Sequence, residues 1–310
     1  MSLIQAIVLG VVQGLTEFLP ISSSGHLAIA EHLFGSFLSQ EKVPLAFDVL
    51  LHFASAMAIL LVLRKDVLSL LTTRRRLIPL LAIASIPAAV AGLLLEEHFE
   101  AARHSMPAVG GALVFTGLVL ALCERIGRRE REIEKTRAVD ATTVGLAQVL
   151  ALMPGVSRSG MTISGGLMRG MTREACVRFS FLLAIPVIVG AAVLHVPKMR
   201  DMAGQGNAAA LAIGAAASFA ASVAAITFLL ALVRRTSLAV FSYYCVPVGM
   251  IVVIASAPGP LARWLTSTLG LNAAPAGIIG YALVIAAAAG VAAIVFVGIL
   301  RRKPAPRTQQ

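Results

Sequence analysis

The stretch Gln13-Gly14-Leu15-Thr16-Glu17-Phe18-Leu19-Pro20-Ile21-Ser22-Ser23-Ser24-Gly25-His26 decides the fold. It lies within an otherwise apolar run from Ser2 to Phe37 and breaks it with a proline, three serines, a glycine and a histidine. At membrane depth, backbone leaves the helical state only where protein or a water-filled cavity covers it. The run is therefore expected to form two short helices flanking a polar turn, a re-entrant hairpin that leaves on the side it entered. A second run of the same kind, Ala141–Met168, is broken by Pro154-Gly155-Val156-Ser157-Arg158-Ser159-Gly160. Gln13, Leu15, Ser22, Ser24 and Gly25 recur 135 residues later as Gln148, Leu150, Ser157, Ser159 and Gly160.

Composition supports a membrane setting. Of 310 residues, 58% are apolar and 13% charged, where soluble domains have roughly 45–50% and about 25%. The mean hydropathy is +0.88. A bilayer core of about 30 Å needs about 20 apolar residues per spanning helix. Seven segments qualify: Leu45–Leu63, Leu77–Leu95, Met106–Leu122, Val177–His195, Ala208–Val233, Leu238–Ala257 and Gly277–Leu300. Three spans follow each hairpin, an odd number, so the second hairpin enters from the opposite face. The expected fold class is an all-α integral membrane protein with an inverted-topology repeat, each half a hairpin plus three transmembrane helices, and one extra C-terminal helix. It forms a single membrane domain over 1–310, with repeat one at 1–125, repeat two at 141–257 and the appended helix at 277–300. Inverted repeats place their site where the two broken segments meet.

The net charge of +11 would suggest nucleic acid in a soluble protein. Here the basic residues are too sparse for a binding groove, and no nucleic-acid partner is expected. In the hairpin topology 20 of the 26 basic residues fall on the face opposite the N-terminus and 5 on the N-terminal face. The positive-inside rule makes the crowded face cytoplasmic, which puts the C-terminus in the cytoplasm. The remaining basic residue, Arg158, lies inside the second hairpin. Three widely spaced cysteines support neither a disulfide framework nor a cysteine zinc site. Glu96, Glu97, His98, Glu100 and His104 read as a solvated charge run rather than metal ligands.

Ionisable residues at bilayer depth are costly and mark functional sites. Gln13 and Glu17, four apart, share a helix face. The Ser22–His26 turn adds hydroxyls, an imidazole and the free N–H groups of a helix start, which suit anions. Arg158 carries a guanidinium fork that matches phosphate oxygens, and by the repeat offset it is the equivalent of Ser23. Asp48 and His52, another i, i+4 pair, are possible site-lining residues. Carboxylate oxygens suit a hard divalent ion such as Mg²⁺ or Ca²⁺. From the residues alone the reading is a membrane-embedded site for a phosphorylated lipid, open between hydrolysis and transport.

The run from Gln13 to Leu27 resembles the first signature of the undecaprenyl-diphosphatase family, the bacitracin-resistance proteins. Pro154–Thr162 resembles its second signature. Arg178-Phe179-Ser180-Phe181-Leu182-Leu183-Ala184-Ile185-Pro186 and Phe47-Asp48-Val49-Leu50-Leu51-His52 are similar to further family segments. The resemblance covers about residues 1–257. It implies a phosphatase of the bacterial inner membrane, multi-pass and with its site facing the periplasm. Such an enzyme converts undecaprenyl diphosphate to undecaprenyl phosphate, recycles the lipid carrier for peptidoglycan synthesis and confers bacitracin resistance. The alternative is a polyprenyl-phosphate transporter or flippase.

The resemblance also implies a divalent cation and makes Glu17, Ser23, His26 and Arg158 the catalytic positions. Glu17 would hold the cation, while Ser22, Ser24, Gly25, Ser157, Ser159 and Gly160 would bind phosphate. Either Ser23 attacks the terminal phosphorus while His26 takes its proton, or His26 or Glu17 activates a water directly and Ser23 only binds phosphate; the sequence leaves both open. Two departures from the family stand out. Position 13 is acidic in some members and Gln13 here, and a Tyr-Arg pair near the last shared span is replaced by Tyr243-Tyr244-Cys245. The oligomeric state is left open.

Overall fold

The first apolar run folds as α1 (Leu3–Phe18) and α2 (Ser23–Phe37). At 16 residues, α1 extends about 24 Å, short of the bilayer core. Ser2 caps it reciprocally with Gln5. Pro20 follows directly, and the chain reverses through Ser22, whose φ of 71° is left-handed. The second run repeats the pattern with α7 (Ala138–Leu150) and α8 (Arg158–Met168), turning at Gly155 with φ 90°. Between them lie α3 (Leu45–Val62), α4 (Arg64–Leu71), α5 (Leu77–Arg103) and α6 (Met106–Ile126). After them come α9 (Arg173–Asp201), α10 (Ala208–Val233) and α11 (Ser242–Ser256). The computed structural model describes residues 2–37, 45–103, 105–201 and 208–256, and among them every regular element is helical. The expected span Gly277–Leu300 lies outside the described residues, as do the side chains of Glu96–His104.

Five helical segments are long and apolar enough to cross a membrane: Leu77–Leu95, Met106–Ile126, Arg173–Ala191, Ala208–Val233 and Leu238–Ser256. α3 makes a sixth together with α4, which bends away from it by 77°. The sequence reading leaves Arg64–Leu71 between two spans, with no element assigned. In the structure Arg64–Leu71 forms one more helix with no buried residue, and Leu68 and Leu71 are both exposed. An apolar edge beside Arg64, Lys65 and Asp66 suits a helix lying in the membrane interface.

Packing exchanges partners between the halves. α1 packs on α10 and α7 on α5, while α3 meets α9 and α6 meets α11. Small residues set these distances, as expected where lipid-facing apolar surface supplies no drive to associate. A Cβ at Gly10 would lie 2.3 Å from the Gly214 carbonyl oxygen, and one at Gly14 2.3 Å from that of Ser218. Gly145, the repeat equivalent of Gly10, approaches Ala84 of α5 in the same way. Between α3 and α10, Ser55, Ser218 and Ser222 bond to one another within 3.1 Å.

Ion pairs fasten one end of the bundle. Asp140 at the start of α7 binds Arg131 (2.6 Å) and Arg169 just beyond α8 (3.0 Å). The end of the second segment therefore lies beside its start, as in a hairpin. Asp66 binds Arg74 and Arg178, Glu124 binds Arg129 and Arg173, and Glu174 binds Arg178 and Arg234. These residues come from the ends of α4, α6, α7, α8, α9 and α10 that the charge count assigns to a single face.

Candidate active site between the two hairpins

The two turns meet inside the bundle. The Gly155 N–H donates to Ser24 Oγ (3.3 Å), and Ser159 Oγ donates to the Leu19 carbonyl (2.9 Å). Each half-helix is capped alike. Gly25 N–H donates to Ser22 Oγ (3.2 Å), and Gly160 N–H to Ser157 Oγ (3.0 Å). Ser22 and Ser24 lie 3.3 Å apart through their hydroxyls, and Ser157 and Ser159 3.1 Å. The recurrence seen in the sequence thus extends to single hydrogen bonds. Ser22 and Ser157 are engaged in shaping the turns.

Glu17, nearly fully buried on α1, is the hub. Arg158 Nη2 donates to its Oε1 at 2.6 Å. On Oε2 it accepts from Ser23 Oγ at 2.6 Å and from Gln13 Nε2 at 2.9 Å. His52 Nε2 approaches to 3.6 Å. Two hairpins 141 residues apart in sequence are therefore joined through one carboxylate. Arg158 and its repeat equivalent Ser23 do converge, each on a different oxygen of Glu17.

His26 faces elsewhere. Its Nδ1 lies 2.6 Å from the Ser22 carbonyl oxygen and its Nε2 2.7 Å from Tyr244 Oη. A carbonyl only accepts, so Nδ1 bears the proton and the Nε2 of a neutral ring accepts from the tyrosine. The direct Ser23–His26 contact expected from their spacing is not formed. α2 begins at Ser23 itself, and the left-handed Ser22 turns the Ser23 hydroxyl back toward α1. On α3, His52 Nδ1 donates to the Asp48 carbonyl (2.9 Å) and lies 3.7 Å from its carboxylate. One third of the His52 side chain is exposed, against 19% for Arg158 and 5% for Glu17.

Arranged in this way, a carboxylate hydrogen-bonded to a serine hydroxyl and paired with an arginine can activate the hydroxyl and receive an anionic phosphoryl group. The family described as bacitracin resistance protein BacA matches residues 6–251. This chain belongs to that family.

The undecaprenyl-diphosphatase of Carboxydothermus hydrogenoformans is 40% identical over 265 residues, covering 84% of this chain and 99% of the relative. That of Rubrobacter xylanophilus is 41% identical over 259 residues, covering 79% and 94%. That of Syntrophotalea carbinolica is 42% identical over 256 residues, covering 79% and 95%. As a BacA family member the chain is a multi-pass membrane protein. Tyr244 was not a site residue in the sequence reading. It lies 218 residues from His26, beyond any local spacing rule, and the one sequence signal was its place in the altered family pair. The neighbouring Cys245 lies 3.7 Å from the Pro20 carbonyl at the hairpin turn.

Proposed function

We propose that this protein is an undecaprenyl-diphosphate phosphatase, hydrolysing the lipid diphosphate to undecaprenyl phosphate and inorganic phosphate. The observation that carries this reading is the Glu17 carboxylate, held at 2.6 Å by both Ser23 and Arg158 where two membrane hairpins meet, in a chain of this family. The polyprenyl tail stays in the bilayer while the diphosphate reaches the turns.

Arg158 exchanges its Glu17 partner for the terminal phosphate. The guanidinium fork fits phosphate oxygens and offsets charge in the transition state. Its release leaves Glu17 Oε2 beside the Ser23 hydroxyl. Ser23 Oγ attacks the terminal phosphorus, its proton passes to Glu17, and the bond to the bridging oxygen breaks with undecaprenyl phosphate leaving. Glu17 passes that proton to the departing undecaprenyl phosphate and is again a carboxylate. Water then attacks the phosphoserine, giving a proton to Glu17. The Ser23 Oγ–phosphorus bond breaks, inorganic phosphate leaves, and Glu17 returns the proton to Ser23 Oγ. Glu17 rather than His26 serves as base, because it already accepts the Ser23 hydrogen bond.

A divalent cation, Mg²⁺ or Ca²⁺, fits this donor set. Glu17, Ser23 Oγ and Gln13 Oε1 are hard oxygens of the kind such ions take. Gln13 Oε1 is buried without a hydrogen-bond partner. Among the described residues no three His, Cys, Asp or Glu side chains group as a metal site, so Glu17, Ser23 and Gln13 would hold such an ion only together with other oxygen donors. The cation supplies charge neutralisation on the transferring phosphoryl group.

The inverted repeat and the charge distribution support a site facing the periplasm, with the Arg-rich end in the cytoplasm. The test is phosphate release by purified protein given a polyprenyl diphosphate. Multiple turnovers are expected. Wild-type protein that binds the lipid and releases no phosphate would instead favour a transporter.

A further inference from the structure

Four residues of the site converge on Glu17, yet His26 does not, and its environment assigns a role to a residue outside the hairpins. The imidazole is fixed at both nitrogens. Nδ1 is anchored 2.6 Å from the Ser22 carbonyl, whose oxygen also accepts the His26 N–H at 3.2 Å. Nε2 is 2.7 Å from Tyr244 Oη. The two rings also stack, 5.6 Å between centroids and 14° from parallel. Tyr244 stands in the first turn of α11, which is packed along α6. α6 in turn packs against both turns. Leu113 lies 3.5 Å from the position of a Cβ on Gly25, and Thr116 Oγ1 accepts from the Ser157 N–H at 3.1 Å.

We propose that Tyr244 is the positioning residue for His26. Its hydroxyl donates to Nε2 and its ring fixes the imidazole plane, so that the Nδ1-protonated tautomer is held in one orientation beside the phosphate site. This rests on the phosphatase reading above. A neutral imidazole has two tautomers, and the one whose Nε2 carries hydrogen would leave the Ser22 carbonyl facing a lone pair. A phenol donating to Nε2 removes that alternative. It also keeps Nε2 as an acceptor, ready to exchange the phenol for a proton on an approaching phosphate or water. A histidine held by its other nitrogen is a recurrent way of setting which atom faces the chemistry. The last spanning helix of the second half thus reaches into the hairpin of the first.

The test compares wild type with Tyr244→Phe and Tyr244→Leu, using polyprenyl diphosphate turnover and ¹⁵N NMR of histidine-labelled protein. The His26 signals are assigned by subtraction with His26→Asn. Wild type should show a protonated Nδ1 and a strongly hydrogen-bonded Nε2. Tyr244→Phe keeps the ring and loses the hydroxyl. It should shift the Nε2 resonance toward a free acceptor and lower kcat about tenfold, about 1.4 kcal/mol, with KM little changed. Tyr244→Leu should lose more, because stacking goes too. A Phe variant with wild-type ¹⁵N shifts and wild-type kcat would overturn the proposal, as would a rise in KM alone. Absence of phosphate release from wild type would refute the phosphatase reading, while the ¹⁵N shifts would still decide the Tyr244–His26 pair.

Discussion

Glu17 and Arg158 form the only link between a carboxylate and a guanidinium among the described residues of the two hairpin turns, and the burial of Glu17, with Arg158 19% exposed, sets the consequence of breaking it. Removing one member of a buried pair leaves an uncompensated charge, at a cost of about 3 kcal/mol or more. Glu17→Gln and Arg158→Met should therefore each lower the unfolding temperature in detergent as well as cut turnover steeply. The double variant should be more stable than either single variant and just as inactive. For Arg158→Met the loss in kcat should be about 10³-fold, the scale of removing a charged group from a phosphoryl transition state. Arg158→Lys should recover stability but only part of the rate, because an ammonium lacks the fork. Equal stability of the double and single variants would show that the pair does not hold the hairpins together. These residues were legible in the sequence, because a charge at bilayer depth stands out. Their partners were less so. A three-residue spacing allows Ser23 and His26 to meet, but Ser22 is left-handed and the Ser23 hydroxyl bonds Glu17 instead.

At the scale of elements, the close approaches are the vulnerable points. A Cβ on Gly14 would sit 2.3 Å from the Ser218 carbonyl oxygen and 2.7 Å from the Ala221 Cβ, both rigid parts of α10. Gly14→Ala must push α1 from α10 and is expected to cost about 2–3 kcal/mol. Because Gly14 lies one turn before Glu17, it should also lower turnover. Gly155→Ala combines a φ of +90° with a contact of 2.7 Å to the Val109 carbonyl oxygen. The left-handed conformation alone costs an L-residue about 1–2 kcal/mol. Both variants are read by thermal unfolding and phosphate release; wild-type values for either would mean that these helices yield more easily than their packing implies. The hairpins were readable because polar residues with Pro and Gly interrupt an apolar run. α4 was not, since eight residues containing Arg64, Lys65 and Asp66 have the composition of a loop. Helix pairing was only partly legible: the repeat implies that α1 and α7 have equivalent partners, but it does not name α10 and α5.

For the molecule as a whole, the acids of one face work as fasteners among its many arginines. Asp140, at the interfacial start of the non-spanning helix α7, joins three pieces of chain. Burial pushes its carboxyl up, but hydrogen bonds from Arg131, from the Arg137 N–H and from Arg169 outweigh this and hold it at about 2. In the unfolded chain an aspartate titrates near 3.9. Between those values the folded protein keeps Asp140 ionised while the unfolded chain binds a proton. The stabilisation is therefore fully present above about pH 4 and is lost as the pH falls toward 2. Asp140→Asn removes the carboxylate at every pH and leaves Arg131 and Arg169 with a weaker acceptor. The unfolding temperature of wild type should exceed that of Asp140→Asn at pH 6, and the gap should close progressively between pH 4 and pH 2. The closure should survive moderate salt, because the carboxylate is shielded from solvent by the groups that bind it and screening acts chiefly on exposed charges. A gap constant down to the lowest pH would mean that the mutation acts through packing rather than through charge. A gap absent at pH 6 would mean that the Arg-rich face is held by its other acids, Asp66, Glu124 and Glu174, without need of the clamp at the second hairpin.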